Sequence, residues 1–101
     1  MYTELDGEWH VTCRGKAAPF NLLHDHKIIF GGEGHNLIGE IDWGYFYVTP
    51  FDGGFLLNYD HDKNPECLKI IRDVVKKTKE GWSGKLFRNG KLEFAFTLTK
   101  A

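Results

Sequence analysis

The chain has only two cysteines, three prolines and one methionine in 101 residues, and its charges almost cancel. Two cysteines, Cys13 and Cys67, cannot make the dense disulfide framework of a small secreted scaffold. With no secretory signature they read as two reduced thiols, small side chains packed as apolar residues. Net charge is −1, and Lys76, Lys77 and Lys79 form the main basic cluster. The basic stripe that nucleic-acid binding needs is missing. No apolar run exceeds about four residues, against the ~20 of a membrane-spanning helix. Residues 1–6, Met-Tyr-Thr-Glu-Leu-Asp, carry neither a basic region nor an apolar stretch. That argues against a signal peptide and for a cytoplasmic location. Nucleic acid and membrane are set aside as partners, and the length fits a single domain spanning 1–101.

What the chain does have is aromatic side chains, 15% of residues, and twelve glycines. Aromatics favour pleated, half-buried surfaces, and glycines favour tight turns. The clearest signal is Asn89-Gly90 between two apolar-rich runs, Trp82–Arg88 and Lys91–Lys100. A type I′ turn needs φ > 0 at both central residues, which Asn-Gly supplies. Leu92, Phe94, Phe96 and Leu98 alternate with Lys91, Glu93, Ala95, Thr97 and Thr99. A period of two gives one buried and one wetter face.

Earlier strands read at Gly7–Arg14, His26–Phe30, His35–Trp43, Tyr45–Phe51 and Phe55–Tyr59. Gly15–Pro19 ends the first, and Phe20–Leu23 reads as a short turn of undecided type. Leu37, Gly39, Ile41 and Trp43 would share a face of the third strand. Asp52-Gly53-Gly54 joins the fourth to the fifth. A two-residue loop there puts Phe46, Val48 and Pro50 on the face of Phe55, Leu57 and Tyr59. One segment has helical period: Asn64 as N-cap, Pro65 as first residue, and Leu68, Ile71, Val74, Val75 and Thr78 on one face. Lysines close it and Gly81 follows, so the spacing predicts a helix over 65–79 that covers the sheet.

The fold class is then a β-rich α+β domain. It is an antiparallel meander of about seven strands, either a curved sheet or a small barrel, with one helix before the final hairpin.

Chemistry-bearing motifs are few. His24-Asp25-His26 and Asp60-His61-Asp62 have metal-ligand chemistry, but both sit at element ends where polar residues belong. Glu40 and Asp42, as paired acids, read as a wet face. Gly31-Gly-Glu-Gly34 has no following helix and no Lys-Ser/Thr, so it is no phosphate loop. The sequence points to no cofactor, no metal and no catalytic residue. The final hairpin holds one anomaly. A simple two-residue turn sets Lys85 opposite Phe94 and Ser83 opposite Phe96. Either a polar pair enters an apolar cavity or a bulge shifts the register, and Gly84 favours the bulge.

Gly7-Glu8-Trp9, opening the first strand of an aromatic-rich antiparallel sheet, resembles the G-x-W signature of the lipocalin and calycin families. The resemblance implies a barrel closed at one end by the Trp and holding a small hydrophobic ligand. It also implies a late basic residue packed on that Trp, here Arg88 or Lys100. It covers the first strand alone, and no ligand residue follows from it.

Three functional readings result. The first is a non-catalytic binder of a small hydrophobic molecule in a concavity lined by Trp43, Phe46, Phe55, Tyr59, Lys85, Phe94 and Phe96. The second is an interaction module that homodimerises or docks a partner through an aromatic sheet face. The third is a metal-dependent enzyme using His24, His26 and His61.

Overall fold

The computed structural model describes residues 3–15 and 25–101. Eight strands run in order: β1 Gly7–Cys13, β2 Asp25–Phe30, β3 Glu33–Ile38, β4 Ile41–Phe51, β5 Gly54–Asn58, β6 Ile71–Lys77, β7 Gly81–Arg88 and β8 Lys91–Lys100. Each pairs antiparallel with its sequence neighbour, and β8 returns to β1, so the sheet closes into a barrel. The seam is long: Trp9 faces Lys100 and Cys13 faces Phe96. At eight strands the interior is just wide enough for side chains to fill or for one small ligand.

Tight turns set the registers. Phe30 pairs with Glu33 across Gly31-Gly32, both at positive φ. Phe51 pairs with Gly54 across Asp52-Gly53, and Arg88 with Lys91 across Asn89-Gly90. Asn89 and Gly90 have φ of 52° and 81°, as the type I′ expectation requires.

Two sequence expectations are corrected. The segment read as helix 65–79 forms a single 3-10 turn, Glu66–Leu68, and then strand β6. In β6 the buried positions are Asp73 and Val75, with Ile71 half-buried beside them. This is a period of two with a charged residue at its centre. Inward Asp73 broke the apolar alternation and left Ile71, Val74 and Val75 to mimic a helical stripe. The β-branched Ile-Ile and Val-Val pairs suit the strand they form. Among the described residues there are therefore eight strands and no cover helix over 65–79. Asn64, read as a helix cap, instead clamps the loop: its amide donates to the carbonyls of Tyr45 (2.6 Å) and Tyr59 (2.7 Å), and its oxygen accepts from Tyr45 N.

The second correction concerns the third and fourth strands. The chain turns at Gly39-Glu40, with Ile38 paired to Ile41, so His35–Trp43 is not one strand. Ile41 is exposed, and Asn36 rather than Leu37 takes the fully buried position. Gly44 lies inside β4 at φ 62°, where Asn36 pairs with Trp43 and Gly34 with Phe46. Two residues of β4 thus oppose one of β3, a bulge with glycine at the left-handed position. The expectation for Gly15–Pro19 and Phe20–Leu23 falls mainly outside the described residues.

One end of the barrel is closed by packing. Leu5, in the turn before β1, is fully buried, and its carbonyl accepts a 2.8 Å bond from Trp9 Nε1. Lys100 Nζ lies 4.8 Å from the Trp9 ring centre, so of the two basic candidates it is Lys100 that packs on this Trp. Ile29, Val48, Leu57, Val75, Trp82 and Leu98 join the same buried cluster. Phe46 and Phe96 fill the middle because each ring lies across a glycine on the paired strand. A Cβ on Gly34 would meet Phe46 at 2.6 Å, and one on Gly84 would meet Phe96 at 2.2 Å.

Candidate functional site

Among the described residues the opposite end is open. A cavity of about 490 Å³ enters between Cys13, Asp25, Ile38, Trp43, Ile71, Leu86 and Phe94, with the Arg88–Glu93 ion pair on its rim. It is continuous in lining residues with a smaller inner pocket of about 60 Å³ that reaches Lys27, Asn36, Tyr59, Asp73 and Phe96. Its outer wall is therefore largely apolar and its floor is polar.

The floor is a buried network. Lys27 (β2) is 4% exposed and Asp73 (β6) is fully buried. Lys27 Nζ donates to Asn36 Oδ1 at 2.6 Å and Tyr59 Oη at 2.8 Å, and lies 3.3 Å from Asp73 Oδ2. Tyr59 Oη donates to Asp73 Oδ2 at 2.9 Å and accepts from Asn36 Nδ2 at 3.1 Å. Asn36 Nδ2 also reaches the Gly44 carbonyl, which the β4 bulge brings within 3.2 Å. The rings of Phe46, Tyr59 and Phe96 surround the ammonium at 5.3–5.6 Å, a favourable site for a cation.

Burial opposes charge on every group here. It works to lower the Lys27 pKa, but the Tyr59 oxygen and the Asp73 carboxylate outweigh it and hold the ammonium above its ordinary value. Burial pushes Tyr59 up, and Asp73 adds to that. Burial pushes Asp73 up, opposed by Lys27 and by the Tyr59 hydrogen bond. Asp25, at the mouth, is raised by burial against the pull of Lys27, and Cys13 is raised by burial and then by Asp25. Lys27 therefore keeps its proton and has no lone pair for nucleophilic attack at neutral pH. Within the network the Lys27 ammonium and the Asp73 carboxylate hold each other in place.

The sequence-predicted lining is divided. Trp43, Tyr59, Phe94 and Phe96 line the cavity. Phe46 stands behind them, its ring centre 5.2 Å from that of Tyr59. Phe55 packs on Trp82 toward the closed end, 5.7 Å between ring centres. Lys85 is corrected: it is exposed on the outer wall opposite Ala95, because a bulge at Leu86/Phe87 shifts the register. Sequence reasoning missed Lys27, Asn36, Asp73 and the lining role of Asp25. Buried Lys and Asp are rare enough that nothing local marks them. The one available signal was the inward register of Asp73 in a strand.

Of the candidate histidines, half-buried His26 and buried His61 stand in separate groups. His26 lies edge-on to His10 and 3.6 Å from Glu8. His61 stacks on Tyr47 and pairs with Glu33 at 3.2 Å. His24 lies outside the described residues. Among the described residues no three His, Cys, Asp or Glu side chains form a group able to hold a metal, and no helix is long and apolar enough to cross a membrane. No disulfide joins buried Cys13 to exposed Cys67.

No family model, curated protein or solved structure matches the chain.

Proposed function

We propose that the protein binds a small, largely apolar molecule in the open end of its barrel without reacting with it. The observation that carries this reading is the 490 Å³ cavity walled by Ile38, Trp43, Ile71, Leu86 and Phe94 above a fully partnered ammonium. Small-molecule sites are concave and mostly apolar, with a few placed polar groups. The volume lies within the ~300–1,000 Å³ usual for such sites. A closed end sealed by Trp9 under Lys100 supports a calycin-like architecture, in which one end is plugged and the other receives the ligand.

The test is titration with the uncharged fluorophore N-phenyl-1-naphthylamine. Binding at one site per chain with micromolar affinity is expected, and Leu86→Trp, which fills the mouth, should weaken it at least about tenfold, since overpacking leaves no room. Equal binding by the filled variant would move the site off the barrel mouth. Native mass spectrometry of the protein purified from cells would show a carried ligand.

A second reading is a homodimer through the outer wall. Phe30 and Tyr47, 68% and 38% exposed, flank Glu33 in one cross-strand row. The same mass spectrum reads the number of chains.

A further inference from the structure

The cavity reading leaves the ligand's polar end open, and the chemistry of that end is inferred on the premise that the cavity is the binding site. Among the described residues, three buried side-chain polar atoms have no hydrogen-bond partner: Asp25 Oδ1, Trp43 Nε1 and Asp73 Oδ1. They come from β2, β4 and β6, far apart in sequence, yet all three residues line one inner pocket. A buried polar group without a partner costs about 1–3 kcal/mol, so native interiors rarely leave one, and three around one pocket specify a complement.

Their chemistry defines that complement. The indole N–H can only donate, so the ligand must present an acceptor to it. Asp73 already accepts from Lys27 and Tyr59 through Oδ2, leaving Oδ1 to take a donor. Asp25 Oδ1 also needs a donor. A carboxylate head would accept only, and it would add negative charge beside two aspartates. Lys27 cannot balance it, because its ammonium is already engaged by oxygens of Asn36, Tyr59 and Asp73. An alkylammonium head would donate to both aspartates but offer nothing to Trp43. A carboxamide offers one carbonyl acceptor and two N–H donors.

We propose that the ligand carries a neutral amide-type head on an apolar body, its carbonyl accepting from Trp43 Nε1 and its N–H groups donating to Asp25 and Asp73. The barrel then selects against fatty acids of the same length. Asp73 lies on the floor, and Asp25 and Trp43 line the passage to it from the mouth, so the head enters first.

The test uses three probes with one chain length, octanamide, octanoate and octylamine, each displacing N-phenyl-1-naphthylamine near neutral pH. Octanamide should displace at concentrations about tenfold lower than either charged analogue, the cost of leaving buried partners unmatched. Trp43→Phe keeps an aromatic wall and removes the donor, and Asp25→Leu removes an acceptor at similar size. Each should cut the amide preference several-fold, read as the ratio of displacing concentrations within that variant. Octanoate or octylamine competing as well as octanamide would overturn the head-group assignment and leave the cavity standing. An amide preference intact in both variants would overturn it too. If the fluorophore itself does not bind the native protein, the cavity reading fails and the head-group assignment falls with it.

Discussion

Removing the ammonium of Lys27 would leave Asp73 buried with only Tyr59 as partner. Breaking one side of a buried pair costs about 3–5 kcal/mol, whereas replacing both sides by apolar groups of similar volume is often neutral. Lys27→Met should therefore lose about that much in urea denaturation, and adding Asp73→Leu should restore much of the loss. A double variant no more stable than Lys27→Met would mean the network stabilises through Asn36 and Tyr59 alone. Asp25 gives the pH counterpart. Its carboxyl is raised in the folded state, so the folded chain holds this proton more tightly than the unfolded chain does. Stability from this group is greatest below the ordinary Asp value. It falls as pH climbs from there through the raised value. Asp25→Asn should melt higher than the native protein at pH 7 and no higher near pH 3, below the ordinary Asp value of about 4. The groups that bear on Asp25 are Lys27, His26 and Asp73, and all remain in the variant. A gain of equal size at both pH values would show that the carboxylate charge is not the cause.

Among the elements, the hairpins are the most locally determined. Asn89 and Gly90 both hold positive φ, which a β-branched side chain adopts only with strain. Gly90→Val should cost about 1–2 kcal/mol, seen as a lower denaturant midpoint with an unchanged slope. An unchanged midpoint would refute the turn. Strand β6 is the opposite case. Its identity depends on Asp73 being buried, and what makes that tolerable is a lysine 46 positions earlier in the chain, on β2. The bulges at Gly44 and at Leu86/Phe87 belong with it. The first delivers the Gly44 carbonyl to Asn36, and the second turns Lys85 outward and Leu86 to the cavity mouth.

At the scale of the molecule, closure is the event with the longest reach. Seven pairings join sequence neighbours, while the eighth joins Trp9–Cys13 to Phe96–Lys100. Such sheet topologies pay the closure entropy of almost the whole chain before the seam forms. Refolding followed by tryptophan fluorescence should fall in the millisecond-to-second range common for barrels of non-local pairing. Relaxation in tens of microseconds would indicate that the fluorescent core forms without the seam. Closure also makes the two ends unequal: Leu5 and Trp9 plug one, and among the described residues a cavity above the buried floor opens at the other.

Local chemistry in the sequence determined the antiparallel class, the Asn-Gly and Asp-Gly turns, and the inward face of Phe46, Val48, Phe55, Leu57, Phe94 and Phe96. These follow from φ preferences and a two-residue period, which act over a few bonds. The place of Trp9 at a barrel end came from the resemblance of Gly7-Glu8-Trp9 to a family motif, not from local chemistry. Only the tertiary structure decided that the sheet closes, that 71–77 is a strand, and that Lys27, Asn36, Tyr59 and Asp73 meet beneath an apolar mouth. A buried charge is stable only beside its counter-charge, and that counter-charge lies on another strand. The pairing of whole strands brings the two together, so the polar floor could not be read from either residue's own neighbourhood.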